Sequence, residues 1–289
     1  MLSRQELKSL LKQYEVRPSQ RMGQSFLVSA ASLRALGRAF GQMRGRFDLV
    51  IEVGAGPGNL TEALLDEGMR VLAIERDRRL GRLCGERLRG RKGLTLVLAD
   101  VLRCPLRLRR SGMRIALAGN LPYSIAGEIM KIMTDELEAV EAASIVIQEE
   151  VAMRILASPG SRQYGALTLL TQVAWRVSRG IKIRAGSFYP RPKVDSRQLI
   201  LERKERTGLA PGPAALFKQI AVNAFKYRRK KLGRALALAA GSMGLDKQDL
   251  LKAVDLAGID PGLRPENLTL DDYINLAKHL AAIIDGGGP

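Results

Sequence analysis

The sequence predicts an α/β fold, in which a mainly parallel sheet carries helices on both faces and a small all-α domain follows. Short apolar runs alternate with helical patterns from residue 33 onward, as they do in βαβ units. A glycine-rich turn follows the first of these runs, and every pattern beyond residue 213 is helical. Glycine and proline cluster at Thr207–Pro213, so we expect one domain at residues 1–206 and a helical domain at 207–289.

The elements follow in order along the chain. Residues 1–22 form a basic leader with Lys8, Lys12, Arg17 and Arg21, and we expect it to order only when substrate binds. The predicted parallel strands are Leu49–Val53, Arg70–Ile74, Leu94–Leu98, Ile115–Ala118 and Ala143–Ile147, and the helices among them include Asn59–Glu67 and Arg78–Leu88. The segment Gly180–Leu201 predicts a long loop and a late strand at Gln198–Leu201, antiparallel at one side of the sheet. The predicted C-terminal helices are Ala214–Ala240, Asp246–Ala257 and Asp271–Ile284, with Gly241 and Gly258 at helix ends.

The charge balance indicates a polyanionic partner. The chain has 47 basic and 29 acidic side chains, a net charge of +18, and such a field attracts nucleic acid. Residues 207–289 carry only 11 basic and 8 acidic side chains, so the field belongs mostly to the first domain. No apolar run is long enough to span a bilayer, and we expect a soluble, cytoplasmic protein that acts as a monomer.

The few cysteine and histidine residues exclude some chemistries. Cys84 and Cys104 match no zinc-binding spacing, and His279 is the single histidine. A serine-histidine-aspartate triad or a histidine-based metal site is therefore hard to build, and we expect no metal.

The sharpest local signal is the glycine loop. An apolar strand runs into Gly54, Gly56 and Gly58, which provide a tight turn where the backbone can approach a ligand closely. The spacing is GxGxG, with Asn59 where a dinucleotide fingerprint has its third glycine. Glu52 adds negative charge beside the loop. This disfavours a pyrophosphate, and with it a nicotinamide cofactor, and suits a ligand with an amino group and a sulfonium.

Acidic residues end the next two predicted strands. Glu75 follows Gly54 by 21 residues, where a carboxylate can bind both hydroxyls of a ribose. Asp100 ends the third strand and could accept a hydrogen bond from an adenine amine. With Glu52, these acids lie at the carboxyl edge, where open α/β sheets bind ligands. The constellation resembles that of Rossmann-like class I S-adenosylmethionine methyltransferases, and we expect S-adenosylmethionine as the cofactor.

The fourth strand leads into Asn120-Leu121-Pro122-Tyr123, a motif suited to methylating an exocyclic amine. The lone pair of an adenine amine is delocalised into the ring, so two acceptors against its protons are needed to draw the nitrogen towards tetrahedral geometry. The side-chain oxygen of Asn120 and the backbone carbonyl of Leu121 are suitable. Pro122 biases Leu121 towards an extended conformation, and Tyr123 offers a flat face for stacking.

These and other segments resemble the ribosomal RNA adenine dimethyltransferases of the KsgA/RsmA type. The similar segments are Gly23–Leu27, Glu52–Gly58, Glu75, Asp100, Asn120–Tyr123, Gln148–Val151, Tyr164-Gly165, Phe188–Ser196, Phe225–Lys231 and Arg264–Asn267. The resemblance implies transfer of two methyl groups to each of two adjacent adenosines near the 3′ end of small-subunit (16S) RNA, late in assembly of the small ribosomal subunit. Ser25 departs from the usual asparagine of the family, and Ser124-Ile125-Ala126 from the usual Asn-Ile-Ser.

The same resemblance implies the roles of individual residues. It implies that Asn120 to Tyr123 hold the adenine and that Phe188 covers its other face. The expected cofactor-binding residues are Gln24, Ser25, Leu27, Gly54, Gly56, Glu75, Arg76, Asp100, Val101 and Asn120.

Two basic segments are candidate RNA contacts. Arg191 and Lys193 lie beside Phe188, where we expect the target strand. Arg228, Arg229, Lys230 and Lys231 cluster on a predicted helix and could contact phosphates, although a charge run is often only a solvated helix face.

Two alternatives to a small-subunit dimethyltransferase stay open. One is an Erm-type methylase of large-subunit RNA, which the Arg264–Asn267 turn and the helical tail disfavour. The other is a non-catalytic RNA-binding assembly factor with the same fold, against which the intact Glu75, Asp100 and Asn120–Tyr123 argue. A nicotinamide oxidoreductase is disfavoured further, because neither a histidine nor a Tyr-Lys pair is placed for hydride transfer.

Overall fold

The structure is a computed structural model, and it describes residues 1–19, 23–43, 45–103, 112–121, 126–135, 140–205 and 208–286. The chain forms two compact units. The first comprises Met1–Ala152 and Val177–Arg203, and the second comprises Met153–Arg176 and Lys204–Pro289. A domain boundary between residues 206 and 207 stays a prediction, and Met153–Arg176 belongs with the C-terminal helices in this division.

The elements are numbered in chain order. The strands are β1 (Phe26–Leu27), β2 (Leu49–Val53), β3 (Val71–Glu75), β4 (Leu94–Leu98), β5 (Ile115–Asn120), β6 (Val140–Gln148), β7 (Trp175–Ile183), β8 (Phe188–Tyr189) and β9 (Ser196–Arg203). The helices are α1 (Arg4–Gln13), α2 (Ala30–Gln42), α3 (Asn59–Asp66), α4 (Arg78–Arg87), α5 (Ala126–Asp135), α6 (Glu149–Ile155), α7 (Ala166–Gln172), α8 (Pro211–Lys226), α9 (Leu232–Met243), α10 (Lys247–Leu256) and α11 (Leu270–Ile284).

Within the described residues, the main sheet has seven strands in the order β4-β3-β2-β5-β6-β9-β7. Neighbours from β4 to β6 are parallel, and β9 pairs antiparallel with β6. The strand order reverses at β2, which pairs with β3 on one side and β5 on the other. A reversal of this kind opens a crevice at the carboxyl ends of the strands. A separate two-stranded antiparallel sheet joins β1 to β8.

The sheet is buried on both faces. Val50 and Ile51 are neighbours in β2 and point to opposite faces, and both are fully buried. One large apolar cluster combines α2 and α3 with side chains of the central strands, among them Leu36, Leu64 and Ala118. Leu7 and Leu11 of α1 join Phe26 and Leu80 in a second cluster. This burial holds the strand ends, and the loops after them, in fixed positions.

Four features differ from the sequence predictions. Gly241, which was expected at a helix end, lies inside α9, because this helix continues to Met243 and ends at Gly244. The late strand is antiparallel as predicted, but β9 lies inside the sheet because β7, which the sequence analysis missed, forms the edge. The predicted helix Ala214–Ala240 is two helices, α8 and α9, separated by Tyr227–Lys231. The leader forms α1, which is anchored by buried Leu7 and Leu11, so the expectation that it orders only with substrate is wrong for these residues.

Candidate active site

The crevice at the switch point of the sheet contains a cavity of about 930 Å³. The ends of β2, β3 and β5 and the segment after β4 contribute to its wall. Nine of the ten predicted cofactor-binding residues line it: Gln24, Ser25, Gly54, Gly56, Glu75, Arg76, Asp100, Val101 and Asn120. The tenth, Leu27, is buried and lines a small adjoining cavity of about 30 Å³ that Gly54, Gly56 and Asn120 also line.

The glycine loop turns sharply from β2 into α3. Gly54, Gly56 and Gly58 all have positive φ, at 74°, 55° and 83°, a conformation that other residues rarely adopt. A Cβ on Gly56 would lie 3.1 Å from the Phe26 ring, so glycine also permits the close approach of β1. Asn59 begins α3 and donates from Nδ2 to the Leu27 carbonyl at 2.8 Å, while its Oδ1 accepts from the Leu2 amide at 2.9 Å.

Glu75 fixes the loop with both carboxylate oxygens. Oε2 accepts a hydrogen bond from the Gly56 amide and Oε1 accepts one from the Asp77 amide, each at 2.8 Å. Burial raises the pKa of the Glu75 carboxyl, and these two backbone hydrogen bonds act against the increase. Each oxygen keeps lone-pair capacity towards the cavity, which suits a pair of ligand hydroxyls.

Glu52 is a buried acid beneath the loop. Its side chain is 1% exposed, and Oε2 has no hydrogen-bonding partner among the described residues. Burial raises the pKa of Glu52 to about 8, and the nearby Glu75 carboxylate adds to this increase. Burial also raises the pKa of the Cys84 thiol to about 12, which makes it unreactive. With this pKa the Glu52 carboxyl carries little charge at neutral pH, so its charge does not by itself select a cationic ligand over a pyrophosphate.

Asp100 lies after β4 and is held at both oxygens. Oδ1 accepts from the Leu102 amide at 3.1 Å, and Oδ2 pairs with Arg76 Nη1 at 3.3 Å. Arg76 is well exposed at the rim, and Val101 is buried at the wall. The carboxylate is therefore oriented before any ligand arrives.

Asn120 ends β5, and its amide is oriented by the backbone of Ser25. Asn120 Nδ2 donates to the Ser25 carbonyl at 2.7 Å. Because a carbonyl only accepts, the Oδ1 of Asn120 must face away from Ser25, and it stays available as an acceptor. The Ser25 hydroxyl donates to the Pro190 carbonyl at 2.6 Å, so the contact with Asn120 comes from the Ser25 backbone and does not need a side-chain amide.

The rest of the predicted adenine site is only partly described. The Leu121 amide donates to the Val146 carbonyl at 3.0 Å, which anchors the start of the motif. Pro122 and Tyr123 lie outside the described residues. Phe188 is fully buried and pairs with Leu27 across the β1–β8 sheet, and it does not line the cavity. Its role against the adenine stays a prediction.

The predicted RNA contacts lie in two places. Arg191 and Lys193 are exposed on the loop after β8 in the first unit. Arg229, Lys230 and Lys231 are exposed between α8 and α9 in the second unit, in a turn where the sequence predicted a helix. Arg228 differs from them because its guanidinium pairs with Glu266 and donates to the Arg162 and Ser161 carbonyls. These contacts hold Arg228 in place within the second unit, and its contact with RNA stays a prediction.

Several cavity residues escaped the sequence analysis. Asp77 and Arg79 line the cavity, and Asp77 caps α4 by accepting from the Arg79 amide at 2.8 Å. An aspartate directly before a helical pattern is a capping signal that could have placed Asp77. Ser19 also lines the cavity, and no local pattern pointed to it. Phe26 lines the cavity too and lies in the Gly23–Leu27 segment, although the sequence analysis gave it no role.

Two absences hold within the described residues. These residues contain no group of three or more His, Cys, Asp or Glu side chains placed to hold a metal ion. None of the helices described here combines the length and the apolar character that crossing a bilayer requires.

The fold is that of the Rossmann-like class I S-adenosylmethionine methyltransferases. A dimethyladenosine transferase from Plasmodium falciparum superposes with a TM-score of 0.74 at 22% identity, covering 87% of this chain and 95% of that chain. The structure of the 23S rRNA methyltransferase ErmE gives 0.66 at 24% identity, covering 88% and 99%. These likenesses establish the fold alone, and they confirm the predicted fold class.

The sequence comparisons identify the family. The profile of the family described as "Ribosomal RNA adenine dimethylase" matches residues 18–282. A "Ribosomal RNA small subunit methyltransferase A" of Geobacter metallireducens is 34% identical over 93% of this chain and 97% of its own length. A protein of the same description from Anaeromyxobacter dehalogenans is 37% identical over 94% and 97%. This chain belongs to the ribosomal RNA adenine dimethylase family, as the resemblance in its motifs predicted.

Proposed function

We propose that this chain transfers methyl groups from S-adenosylmethionine to the N6 amine of two adjacent adenosines near the 3′ end of small-subunit ribosomal RNA. The product is N6,N6-dimethyladenosine, formed in the cytoplasm during assembly of the small subunit. Relatives that are 34% and 37% identical carry the description small subunit methyltransferase. The observation that carries the chemistry is the Asn120 amide, which Ser25 orients so that its oxygen is left to accept from an amine.

The residues around the cavity fit S-adenosylmethionine. Glu75 and Asp100 both line the cavity, and we assign Glu75 to the ribose hydroxyls and Asp100 to the adenine amine of the cofactor. Gly54 and Gly56 remove side chains from the wall where the ligand approaches. When bound, this cofactor supplies a methyl group on a positively charged sulfonium.

The chain itself prepares the amine. The Asn120 oxygen and the Leu121 carbonyl accept hydrogen bonds from the two N6–H groups, which pulls the nitrogen out of the plane of the ring and localises its lone pair. The Asn120 amide is oriented before substrate arrives by its hydrogen bond to Ser25, and the Leu121 amide anchors the start of the motif by donating to the Val146 carbonyl. Dipoles fixed in this way need no reorganisation during reaction. Tyr123 stacks on the base. After each transfer the methylated nitrogen is cationic and releases one proton to solvent water, because the Asn120 oxygen and the Leu121 carbonyl are too weakly basic to take it.

The direct test supplies labelled S-adenosylmethionine and the protein to unmethylated small ribosomal subunits. We expect nucleoside mass spectrometry to detect dimethyladenosine in the small-subunit RNA. Naked large-subunit RNA serves as the second substrate. Methylation of that RNA alone would favour an Erm-type enzyme, and methylation of neither RNA would favour a non-catalytic assembly factor.

The amine-polarising role is tested by Asn120→Ala. We expect methyl transfer to fall by at least about 100-fold, the usual cost of losing one fixed dipole, while the cofactor still binds. Single-turnover kinetics and calorimetry measure the two quantities. The matched control is Asn275→Ala, which removes an exposed asparagine from α11. Full activity of Asn120→Ala would refute the role.

A further inference from the structure

A second concave surface lies beside the cofactor cavity in the first unit. It has a volume of about 640 Å³ and is formed by the end of α1, the residues after it and the start of α4. We call it the leader groove, and it is lined by Leu11, Lys12, Glu15, Val16, Arg17 and Arg79. Three of these side chains are cations and one is a carboxylate, so the groove has a net positive charge.

The cations of the leader groove are available to a ligand. Lys12 and Arg17 are exposed, and neither forms an ion pair with any residue that the structure describes. Arg79 donates from Nη1 to the Glu15 carbonyl at 2.8 Å, a contact that positions the guanidinium but does not neutralise its charge. Its nearest carboxylate, Asp77, is 4.0 Å from Nε, and the side chain is 59% exposed. Such a surface attracts anions.

The groove adjoins the cofactor cavity and continues along α1. Arg79 lines both the groove and the cavity, so an anion held in the groove lies next to the cofactor site. Lys8 and Lys12 are one turn apart on α1, about 6 Å along the helix axis. The Lys8 amino group lies 5.2 Å from the centre of the Tyr189 ring, and Tyr189 precedes Arg191. Cations and an aromatic ring therefore form a line from the groove towards the loop after β8.

This arrangement indicates a polymer of phosphates. Exposed cations hold a single small anion weakly, whereas a strand that meets several of them releases several counterions at once. An aromatic ring among cations is typical of surfaces that bind single-stranded nucleic acid. A membrane surface is disfavoured because Leu7 and Leu11, the apolar face of α1, are buried inside the protein.

We propose that the leader groove binds backbone phosphates of the RNA strand that carries the target adenosine, with Lys12 and Arg17 each contacting one, and that α1 guides this strand to the cavity. The inference rests on the proposed function, which makes RNA the substrate. It assigns a role to Lys12, Arg17 and Arg79 that the adenine and cofactor sites do not require.

The test uses the full chain with Lys12→Gln and Arg17→Gln combined, and unmethylated small subunits as the ligand. Filter binding at a series of KCl concentrations measures the affinity and its salt dependence. We expect the slope of log K against log [KCl] to become shallower by about 1.4 to 1.8, since each lost phosphate contact changes it by about 0.7 to 0.9. The affinity for S-adenosylmethionine, measured by calorimetry, stays unchanged.

The matched control combines Lys247→Gln with Lys252→Gln, two exposed lysines on α10 in the second unit. It removes the same charge and leaves the groove intact. An unchanged slope in the groove variant, or an equal change in both variants, would overturn the proposal. Titration with inorganic phosphate tests whether the groove is a site for the free ion instead. If the protein binds phosphate saturably, the groove variant loses this binding, and the slope for subunits is unchanged, the proposal is also wrong.

Methyl transfer by the unaltered protein distinguishes failure of the inference from failure of the proposed function. If the unaltered protein methylates the subunits and the groove variant keeps the full slope, only the leader groove assignment is wrong. If the unaltered protein transfers no methyl group, the proposed function fails, and the slope still decides whether the groove binds RNA.

Discussion

At the scale of single residues, Glu75 links the cofactor site to the glycine loop. Its two oxygens accept from the Gly56 and Asp77 amides, so the side chain shapes the cavity as well as facing it. Glu75→Gln keeps the volume but removes the charge and one acceptor. We expect it to weaken S-adenosylmethionine binding by about 1–3 kcal/mol, the cost of losing charge-assisted hydrogen bonds.

Calorimetry measures this change. Asp255→Asn, which neutralises an exposed carboxylate on α10, is the control and should bind the cofactor as the unaltered protein does. An unchanged dissociation constant for Glu75→Gln would contradict the site assignment.

Glu52 predicts a pH dependence of stability. Burial raises its folded-state pKa to about 8, so between its ordinary value of 4.5 and about 8 the folded state holds a proton that the unfolded state has released. The stabilisation from this group is fully present below pH 4.5 and is lost as the pH rises through 8. Its size is on the order of a few kcal/mol, at 1.36 kcal/mol for each pKa unit.

Urea unfolding of the protein without cofactor, at pH 5 to 8.5, checks this expectation. We expect the free energy of unfolding to fall more steeply with pH in the unaltered protein than in Glu52→Gln. Parallel profiles for the two proteins would show that Glu52 does not titrate in this range.

At the scale of elements, the turn from β2 to α3 depends on glycine. A Cβ on Gly58 would lie 2.8 Å from Cys84 Sγ and 3.0 Å from a Leu88 methyl carbon, and φ there is +83°. We therefore expect Gly58→Ala to destabilise the protein by about 1–3 kcal/mol, through strain and overpacking beneath the cofactor site.

Gly241 supplies the matched control. It lies inside α9 without positive φ, and a Cβ there would meet nothing within 4 Å. Gly241→Ala should stabilise the protein by about 0.5–1 kcal/mol, because alanine has the higher helix propensity. Thermal unfolding compares the two, and a Gly58→Ala protein as stable as the unaltered one would refute the packing argument.

The sequence predicted the elements whose signals are local. Apolar periodicity and the glycine loop predicted β2 to β6 and the start of α3. The order of these strands along the chain then predicted the cavity residues at their ends. The edge strand β7 was missed because its apolar pattern is weak. Most of its residues are exposed or half-buried, and several of them are basic. The pairing of β1 with β8 joins residues about 160 apart, which no local pattern encodes. The positions of Ser19 and Arg79 in the cavity wall depend on long-range contacts of the same kind.

At the scale of the whole molecule, binding of the cofactor should stabilise the first unit. Residues lining the cavity run from Ser19 to Asn120, and all belong to that unit. At 100 times its dissociation constant, S-adenosylmethionine should stabilise the folded state by about 2.7 kcal/mol. We expect slower amide hydrogen exchange in peptides covering residues 52–58 and 75–80, and unchanged exchange across α9 to α11.

Hydrogen-exchange mass spectrometry with and without the cofactor measures this pattern, and S-adenosylhomocysteine serves as the reference ligand without the methyl group. Protection centred on α9 to α11 would locate the cofactor elsewhere.

Asn59 has a consequence for how the binding preference of this fold could change during evolution. The residue that replaces the third glycine of a dinucleotide fingerprint also ties together three segments distant in sequence, since its amide bonds both Leu2 and Leu27. Exchanging it for glycine would restore the fingerprint and release these anchors in the same step. A lineage starting from this chain could therefore not drift neutrally towards nicotinamide binding, because the first mutation on that route would also loosen the scaffold.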